Sequence, residues 1–487
     1  MTLLRPKLKF LSDELITQIT EEALTLLEKL GIEIHNPALR DLINDFGARV
    51  DLNSSKVFFS KSIIERALKS SPSNFKLYDV NVKETNNFSD FNIHFTPGSA
   101  ALNILDYKTN NQRKPTSKDY IKYVKLVNSL NNIASQSTAF VPSDVPQEIS
   151  DSIRLFYSVF YGHKPVVTGC FSKESFDVMK NIQIAVRGNE KNLKEKPLTI
   201  FSVCPTSPLK WSDVTSQNLL DCAKYSIPVE FISMPLSGFM SPVTIVGTLV
   251  QHTAETLSGI AIHQLINPGA PFLYGGSPAI FDVRNETTPM GAVETMMIDC
   301  AYNEIGKHFN VPTQAYISLS DAKEFDYQSG METAMGAVLG SLSGINNMSG
   351  AGMHEFENCI SLEKLVIDND ICGMCLRLVS GIEPKEDFPS LPHFEELLTE
   401  SQLLISNHTR KYLKKEIYSP SNVINRANYS RWKDDGSKQV YELAHEEAEK
   451  LINTYEQPVY DSGIKKEIEA LMLVEAKKYN MNSLPAI

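Results

Sequence analysis

Apolar residues recur along this chain in two different rhythms. In SDELITQITEEALTLLEKLG, Ile16, Ile19, Ala23, Leu26, Leu27 and Leu30 return every three or four positions, the spacing that lays one face of an α-helix on a core. Ser12 or Asp13 is placed to cap that helix and Gly31 to end it. A mixed stretch follows: KVFF, a helical segment from about Lys61, FKLYDV, and IHFTPGSAALNILDY. The last reads as a hairpin about Pro97-Gly98. Residues 1–115 are therefore expected to form an N-terminal α+β cap.

From Thr116 the rhythm changes. Short apolar runs, ASQSTAFV, KPVVTGC, PLTIFSVC, PVEFISM, PFLYGGS, VPTQAYISL and INNMSGAG, are each followed by a helix-like segment. Strands alternating with helices imply a parallel sheet, because parallel neighbours need a crossover. These runs, with an eighth expected near Leu378–Ile382, predict a (β/α)8 barrel over residues 116–385. An open doubly wound sheet is the competitor, but no G-x-G-x-x-G follows a strand. Beyond Pro384 the chain turns charged and helical, in EDFPSLPHFEELLTESQLLI, VYELAHEEAEKLINTY and IKKEIEALMLVEAKKY. Residues 386–487 are expected to pack on the barrel, or between subunits, as a helical extension.

Composition narrows the partners. A net charge of −11 without a basic run argues against nucleic acid and anionic membranes. Val243–Ile266 is long and apolar but carries Gln251, His252, Glu255 and His263, so it reads as a buried helix and not a span. MTLLRPKLKF has no signal-peptide core. An odd count of 7 scattered cysteines fits a reducing cytoplasm. Cys372 and Cys375 make a lone CxxC in an apolar stretch, and a weak second grouping is His354 and Cys359 with Glu355 or Glu357; no metal site is expected. There is no P-loop, no G-x-S-x-G and no HExxH.

In a barrel the chemistry lies in the loops after the strands. Here they are rich in Gly, Ser, Pro and aromatic residues, and their few charges are mostly acidic. Phe171, Trp211, Phe239, Tyr274, Phe281, Phe325, Tyr327 and Phe356 fall at strand ends. Rings around a cavity with a carboxylate nearby suit a methylated ammonium, at about 0.5–2 kcal/mol per cation–π contact. Asp321 or Asp326 would supply the countercharge, although Asp321 could equally cap the next helix. His354, in GAGMHEFENC, is the histidine best placed to act. The same rings could instead be loop packing.

PVTIVGTLVQHTAETLSGIAIHQLINPGAPFLYGG, SDAKEFDYQSGMET, SLEKLVIDNDICGM, LLEKLGIEIHNPALRDLINDFGARVD and CPTSPLKW resemble the trimethylamine methyltransferase family. The resemblance implies a TIM barrel with an N-terminal cap, and an enzyme moving a methyl group from an amine to the cobalt of a corrinoid held by a separate protein. The trimethylamine enzymes carry pyrrolysine. Every residue here is one of the standard twenty, which points to the branch resembling glycine betaine:corrinoid methyltransferases. That branch implies a small betaine as substrate, no tightly bound cofactor in this chain, a corrinoid protein as partner and assembly into trimers or hexamers. On this reading His354 and Asp321 are the catalytic candidates. Tyr274, Phe281, Phe325, Tyr327, Gln328, Phe356, Phe171 and Arg284 would bind substrate, and Gly275, Gly276, Ser277, Gly350 and Gly352 would face the corrinoid. SDAKEFDYQ would wall a quaternary ammonium. Because such a group leaves as a neutral amine, no acid–base dyad is expected. The alternatives are a metal-dependent lyase or hydrolase on the same barrel, and a non-catalytic protein that binds a betaine or a corrinoid protein.

Overall fold

The computed structural model describes residues 4–51, 53–460 and 462–485; residues 1–3, where the signal-peptide reading begins, lie outside them. The N-terminal helix runs Asp13–Lys29, with the Ser12 side chain accepting from the Leu15 N–H. Its buried face, Ile16, Ile19, Ala23 and Leu27, is the one the periodicity marks. Strands Ile32–Ile34, Arg49–Asp51 and Lys56–Phe58 form a small sheet beside it, and Lys210–Trp211, from the loop CPTSPLKW, adds to that sheet in parallel. The N-terminal segment is thus stitched to the barrel by main-chain hydrogen bonds.

The barrel strands are β1 (His94–Pro97), β2 (Gln136–Ser137), β3 (Val166–Thr168), β4 (Thr199–Val203), β5 (Val229–Phe231), β6 (Phe272–Gly276), β7 (Thr313–Tyr316) and β8 (Asn347–Ala351). Neighbours pair in parallel from β2 through β8, and β8 pairs in parallel with β1. The ring closes between β1 and β2: the Ala134 N–H donates to Phe95 O at 2.9 Å and the Ala101 N–H to Ala139 O at 2.9 Å. This is a (β/α)8 barrel. All seven runs of alternating strand and helix supply barrel strands, but the eighth strand is not at Leu378–Ile382. That segment ends the helix Leu362–Val379. The missing strand is β1, from within the segment assigned to the cap, and Pro97-Gly98 is not a hairpin tip. Asn103–Asp106 pairs instead with Asn111–Arg113 and Cys359–Ile360. A Cβ at Gly98 would lie 2.2 Å from Met353 Cγ and 2.6 Å from Glu357 Oε1.

The bottom of the barrel is plugged. Leu77 and Phe88, at the Lys76–Tyr78/Glu84–Asn87 hairpin, pack with Val167, Ile200 and Leu273 of β3, β4 and β6. The layer above is polar, with Glu230, Gln314 and Asn347 fully buried. Outside the ring, helix Ile245–Ile266 is largely buried, polar residues such as Gln251, His252, Glu255 and His263 included, because helices Asp13–Lys29, Lys61–Ser70, Asp213–Tyr225 and Val293–His308 pack around it. No helix among the described residues is long and apolar enough to cross a membrane. Of the C-terminal helices, Val440–Thr454 packs on Leu362–Val379 and Ser117–Ser129, and Ser462–Lys478 on Ser150–Tyr161 and Ser175–Arg187.

Helix Tyr327–Ser343 lies so close to the end of β7 that a Cβ on Gly336 would collide with the Ile317 carbonyl oxygen. Gly336→Ala is expected to lower the thermal midpoint by several degrees, from an overpacking cost of about 1–3 kcal/mol. A melt monitored by circular dichroism checks it, and an unchanged midpoint would contradict the close approach.

Candidate active site

Residues from all eight strand ends meet in one cavity of about 340 Å³ at the C-terminal mouth of the barrel. Ser99 and Thr138 follow β1 and β2, Cys170 and Phe171 follow β3, and Ser202 and Cys204 come from β4 and its end. Ile232 and Met234 follow β5, Ser277 follows β6, Tyr316 ends β7 and Glu357 follows β8. The lining is mostly apolar, with charge at two places.

The first is Glu357, with a second carboxyl, Glu230, lying behind the lining residues Ser202 and Tyr316. Glu230 is on β5 and has no solvent exposure. Its Oε1 accepts from Ser202 Oγ at 2.7 Å and from Tyr316 OH at 3.5 Å, while Oε2 makes no hydrogen bond among the described residues. Glu357 Oε1 is likewise buried without a hydrogen bond. Burial, only partly offset by Ser202, Tyr316 and Asn347, raises the Glu230 pKa to about 7. Burial also raises that of Glu357, eased by the Ser99 backbone and reinforced by the Glu230 charge, to about 8. An acid–base dyad is what the quaternary-ammonium argument told against. Two interacting carboxyls poised near neutrality nonetheless sit at the cavity, Glu357 lining it and Glu230 behind the lining.

Glu357 is put there by an unusual loop. Glu355, Phe356 and Glu357 are consecutive non-glycine residues in the left-handed region, at φ 48, 55 and 65°, a conformation costing roughly 1 kcal/mol or more each. The loop is pinned by the Glu355 N–H on Ala322 O at 3.1 Å and the Asn358 N–H on Glu355 O at 2.9 Å. Asn358 O in turn accepts from Leu102 and Asn103.

The second charged place is Arg154, on helix Ser150–Tyr161. It is buried, donating to Ser150 O, to Thr138 O and, at 2.7 Å, to Asp151 Oδ1. Asp151 Oδ2 also accepts from the Phe171 N–H, and the Arg154 guanidinium lies 5.3 Å from the Phe171 ring centroid. A single interlocked unit thus presents a cation and a ring to the cavity. Of its two cysteines, burial pushes Cys204 up to about 12 and Cys170 well above its ordinary value, so both stay thiols.

The expected site residues divide between this cavity and other places. Phe171 and Ser277 line it. Asp321, Arg284, Gln328 and Phe356 line a separate open groove of about 860 Å³ between the loops after β6, β7 and β8. There Asp321 does not cap a helix: its carboxylate accepts from the Met290 and Gly291 N–H groups, and burial raises its pKa to about 6. The following helix is capped by Asp326. Arg284 is exposed beside Asp282, Gln328 donates to Glu332, and Lys323 sits over the Phe356 ring at 4.7 Å. Tyr274 points away from the cavity, into the helices, where it packs with His252, Tyr302 and Phe309. Phe281 stacks on Phe239, Phe325 stacks on Tyr441 of a C-terminal helix, and Tyr327 is exposed. SDAKEFDYQ therefore walls the groove and not the cavity.

His354 is fully buried outside the cavity lining, and burial with the Lys364 charge lowers its pKa to about 3, so it is neutral. Gly275 and Gly276 are packed under Gln314 and His252, and Gly350 and Gly352 turn with φ of 124 and 86° against Leu319 and Leu365. His252 and Glu255 do not satisfy each other. His252 bonds Gly275 O, while Glu255 gathers Ser207, Ser233, Gln251 and the Leu209 N–H, so it ties down the loops after β4 and β5. Cys372 and Cys375 are buried in a helix, and no group of three or more His, Cys, Asp or Glu among the described residues is arranged to hold a metal. Glu230 and Arg154 were not singled out in the sequence, and Glu357 entered only as one option in a weak metal grouping. The one available signal was Glu230 inside PVEFISM, a charge in a run otherwise fit for a buried strand.

A strand-end cavity in a (β/α)8 barrel with an N-terminal cap is the architecture of an enzyme. Comparison with known proteins places it: the profile of the family described as "Trimethylamine methyltransferase (MTTB)" matches residues 2–481, and the chain belongs to that family. Trimethylamine methyltransferase MttB of Methanosarcina barkeri (strain Fusaro / DSM 804) is 30% identical over 476 residues, covering 95% of this chain and 94% of the relative. The glycine betaine methyltransferase of Desulfitobacterium hafniense (strain Y51) is 28% identical over 478 residues, covering 98% of both. The crystal structure of the Methanosarcina barkeri monomethylamine methyltransferase (MtmB) shares the fold, with a TM-score of 0.51 at 12% identity over 92% of this chain and 88% of that one.

A carboxyl whose pKa is raised by folding stabilises the fold fully below its unfolded value, and loses that contribution as pH rises through the folded value. For Glu230, from 4.5 to about 7, the ionised form costs about 3 kcal/mol. Glu230→Gln is therefore expected to raise the melting temperature relative to wild type at pH 8.5 and to lose that advantage by pH 5. Melts across that range decide it.

Proposed function

We propose that the chain is a corrinoid-dependent methyltransferase whose methyl donor is a small betaine and whose acceptor is the reduced corrinoid of a separate protein. The observation that carries this reading is the cavity itself: Glu357 on one part of its wall with Glu230 behind Ser202 and Tyr316, Arg154 on another, and apolar and aromatic surface between. A betaine is a zwitterion with a methylated cation and a carboxylate, and those three surfaces match it. The relatives named for trimethylamine and for glycine betaine are about equally similar, so identity does not choose the donor. The absence of any non-standard residue and the presence of Arg154 favour the betaine.

The protein's task is then positioning and exclusion of water. The carboxyl pair attracts the onium, Arg154 orients the carboxylate, and Phe171 and Tyr316 offer faces to the methyl groups. The Co(I) acceptor supplies the nucleophile, and the quaternary nitrogen leaves with its electron pair as a neutral amine. Exposed apolar residues stand on the segments that follow β3, β5, β6 and β7, among them Phe171, Met234, Phe239, Val243, Val283 and Tyr327. Such a surface suits a partner that brings a bulky acceptor. The metal-dependent lyase or hydrolase alternative is not favoured by the family.

Anaerobic incubation with chemically reduced cob(I)alamin and glycine betaine, proline betaine or carnitine is expected to give the methylcobalamin spectrum with at least one of them and none with trimethylamine. No spectral change with any betaine would overturn the reading.

Arg154→Lys keeps the charge but loses the planar fork. It is expected to raise KM for the active betaine by about tenfold, a loss of about 1.4 kcal/mol, while leaving tetramethylammonium binding nearly unchanged. Equal weakening of both would remove Arg154 from carboxylate recognition.

A further inference from the structure

Glu230 and Glu357 have no partner equal to their charge. Glu230 Oε2 and Glu357 Oε1 are buried without hydrogen bonds among the described residues. The single cationic residue among those lining the cavity, Arg154, is engaged by Asp151 at 2.7 Å. The other titratable groups facing the pair are Tyr316 on β7, Cys204 after β4 and Cys170 after β3. All three are held neutral by burial. Ser202, Ser99 and Asn347 contribute only uncharged hydrogen bonds. Two buried like groups resist ionising together near neutral pH unless a positive charge joins them.

We propose that Glu230 and Glu357 are the cation-recognising element of this cavity and that a quaternary ammonium enters by displacing the proton they hold, so that onium capture is coupled to proton release. This rests on the reading of the cavity as an onium site and adds which residues read the charge and how pH governs it. The exchange balances: one positive charge enters, one proton leaves to solvent, and the net charge of the cavity does not change. A quaternary ammonium has no N–H to donate, so the free carboxyl oxygens attract it by charge alone. That grip discriminates against a neutral isostere of the same shape. It also holds the substrate less rigidly than hydrogen bonds would, which limits ground-state stabilisation.

The direction with pH follows. In the free protein the pair keeps at least one proton until the pH passes about 8, with pKa values raised to about 7 and about 8. With a cation beside it, the ionised form is favoured. Affinity for the cation therefore rises with pH while the free pair is still protonated and flattens once it has ionised.

Isothermal titration of the full chain with glycine betaine and with tetramethylammonium, in phosphate and in Tris at pH 7.5, counts the protons released. The result expected is about half to one proton per cation bound, with affinity rising about tenfold per pH unit below pH 7 and levelling above about pH 8.5. At pH 8.5 the wild type is expected to prefer glycine betaine to its uncharged-head isostere 3,3-dimethylbutanoate by at least about tenfold, and Glu230→Gln to shrink that preference below about threefold. A purely structural role would weaken both ligands alike. If Glu230→Gln does not fold, Glu357→Gln and the wild-type proton count still decide. No proton release, pH-independent affinity, or no binding of either cation overturns the proposal. The methyl-transfer assay separates the two readings. Cation capture with proton release but no methylcobalamin upholds the carboxyl pair and refutes the methyltransferase reading. Methyl transfer with pH-independent affinity refutes only the coupling.

Discussion

The structure depends on one main-chain junction, the strand His94–Pro97 held between β8 and β2. A parallel sheet of seven strands has two open edges, each a row of unpaired N–H and C=O groups. Inserting one strand from the N-terminal region satisfies both edges at once and forces the eight strand ends to face a common axis. The cavity exists because of that closure: Ser99 and Ala100 immediately follow the inserted strand, and Gly98 leaves the room that Glu357 occupies.

Closure also sets the electrostatics. The hairpin that precedes the inserted strand plugs the barrel floor with Leu77 and Phe88, so water cannot reach Glu230 from below. A carboxyl in that position would be a liability in an ordinary core. Here it is retained beside a second one, and the second is delivered by three successive left-handed residues. Strain of that kind persists only where the surroundings over-determine it, as the contacts of Glu355 and Asn358 do. Uncompensated carboxyls and left-handed backbone converge on one hollow.

Much of the fold was legible in the sequence. The 3.6-residue period of Ile16 to Leu27 and the alternation of apolar runs with helical segments are local patterns, and local patterns survive into the structure. The hairpin about Pro97-Gly98 was not a safe reading, because a turn dipeptide says that the chain bends and not where the next strand finds its partner. The candidate site was only partly legible. Phe171 and Ser277 were placed by strand-end logic. Tyr274 obeyed the same logic but points outward, because successive strand residues face opposite sides and the register was not visible. Asp321 and His354 are the right residue types near the right strands, yet one sits in the neighbouring groove holding backbone N–H groups and the other is buried beside Lys364.

By itself the sequence determined the order of elements, the repeating β/α grammar, the family and the loops that gather at one face, since each depends on residues close together in the chain. Only the tertiary structure decided which strand completes the ring and which side chains point into it. It also brought Glu230, Glu357 and Arg154 together from three distant segments. The physical reason is that burial and pKa belong to a side chain's surroundings, and those surroundings are assembled by contacts far apart in sequence.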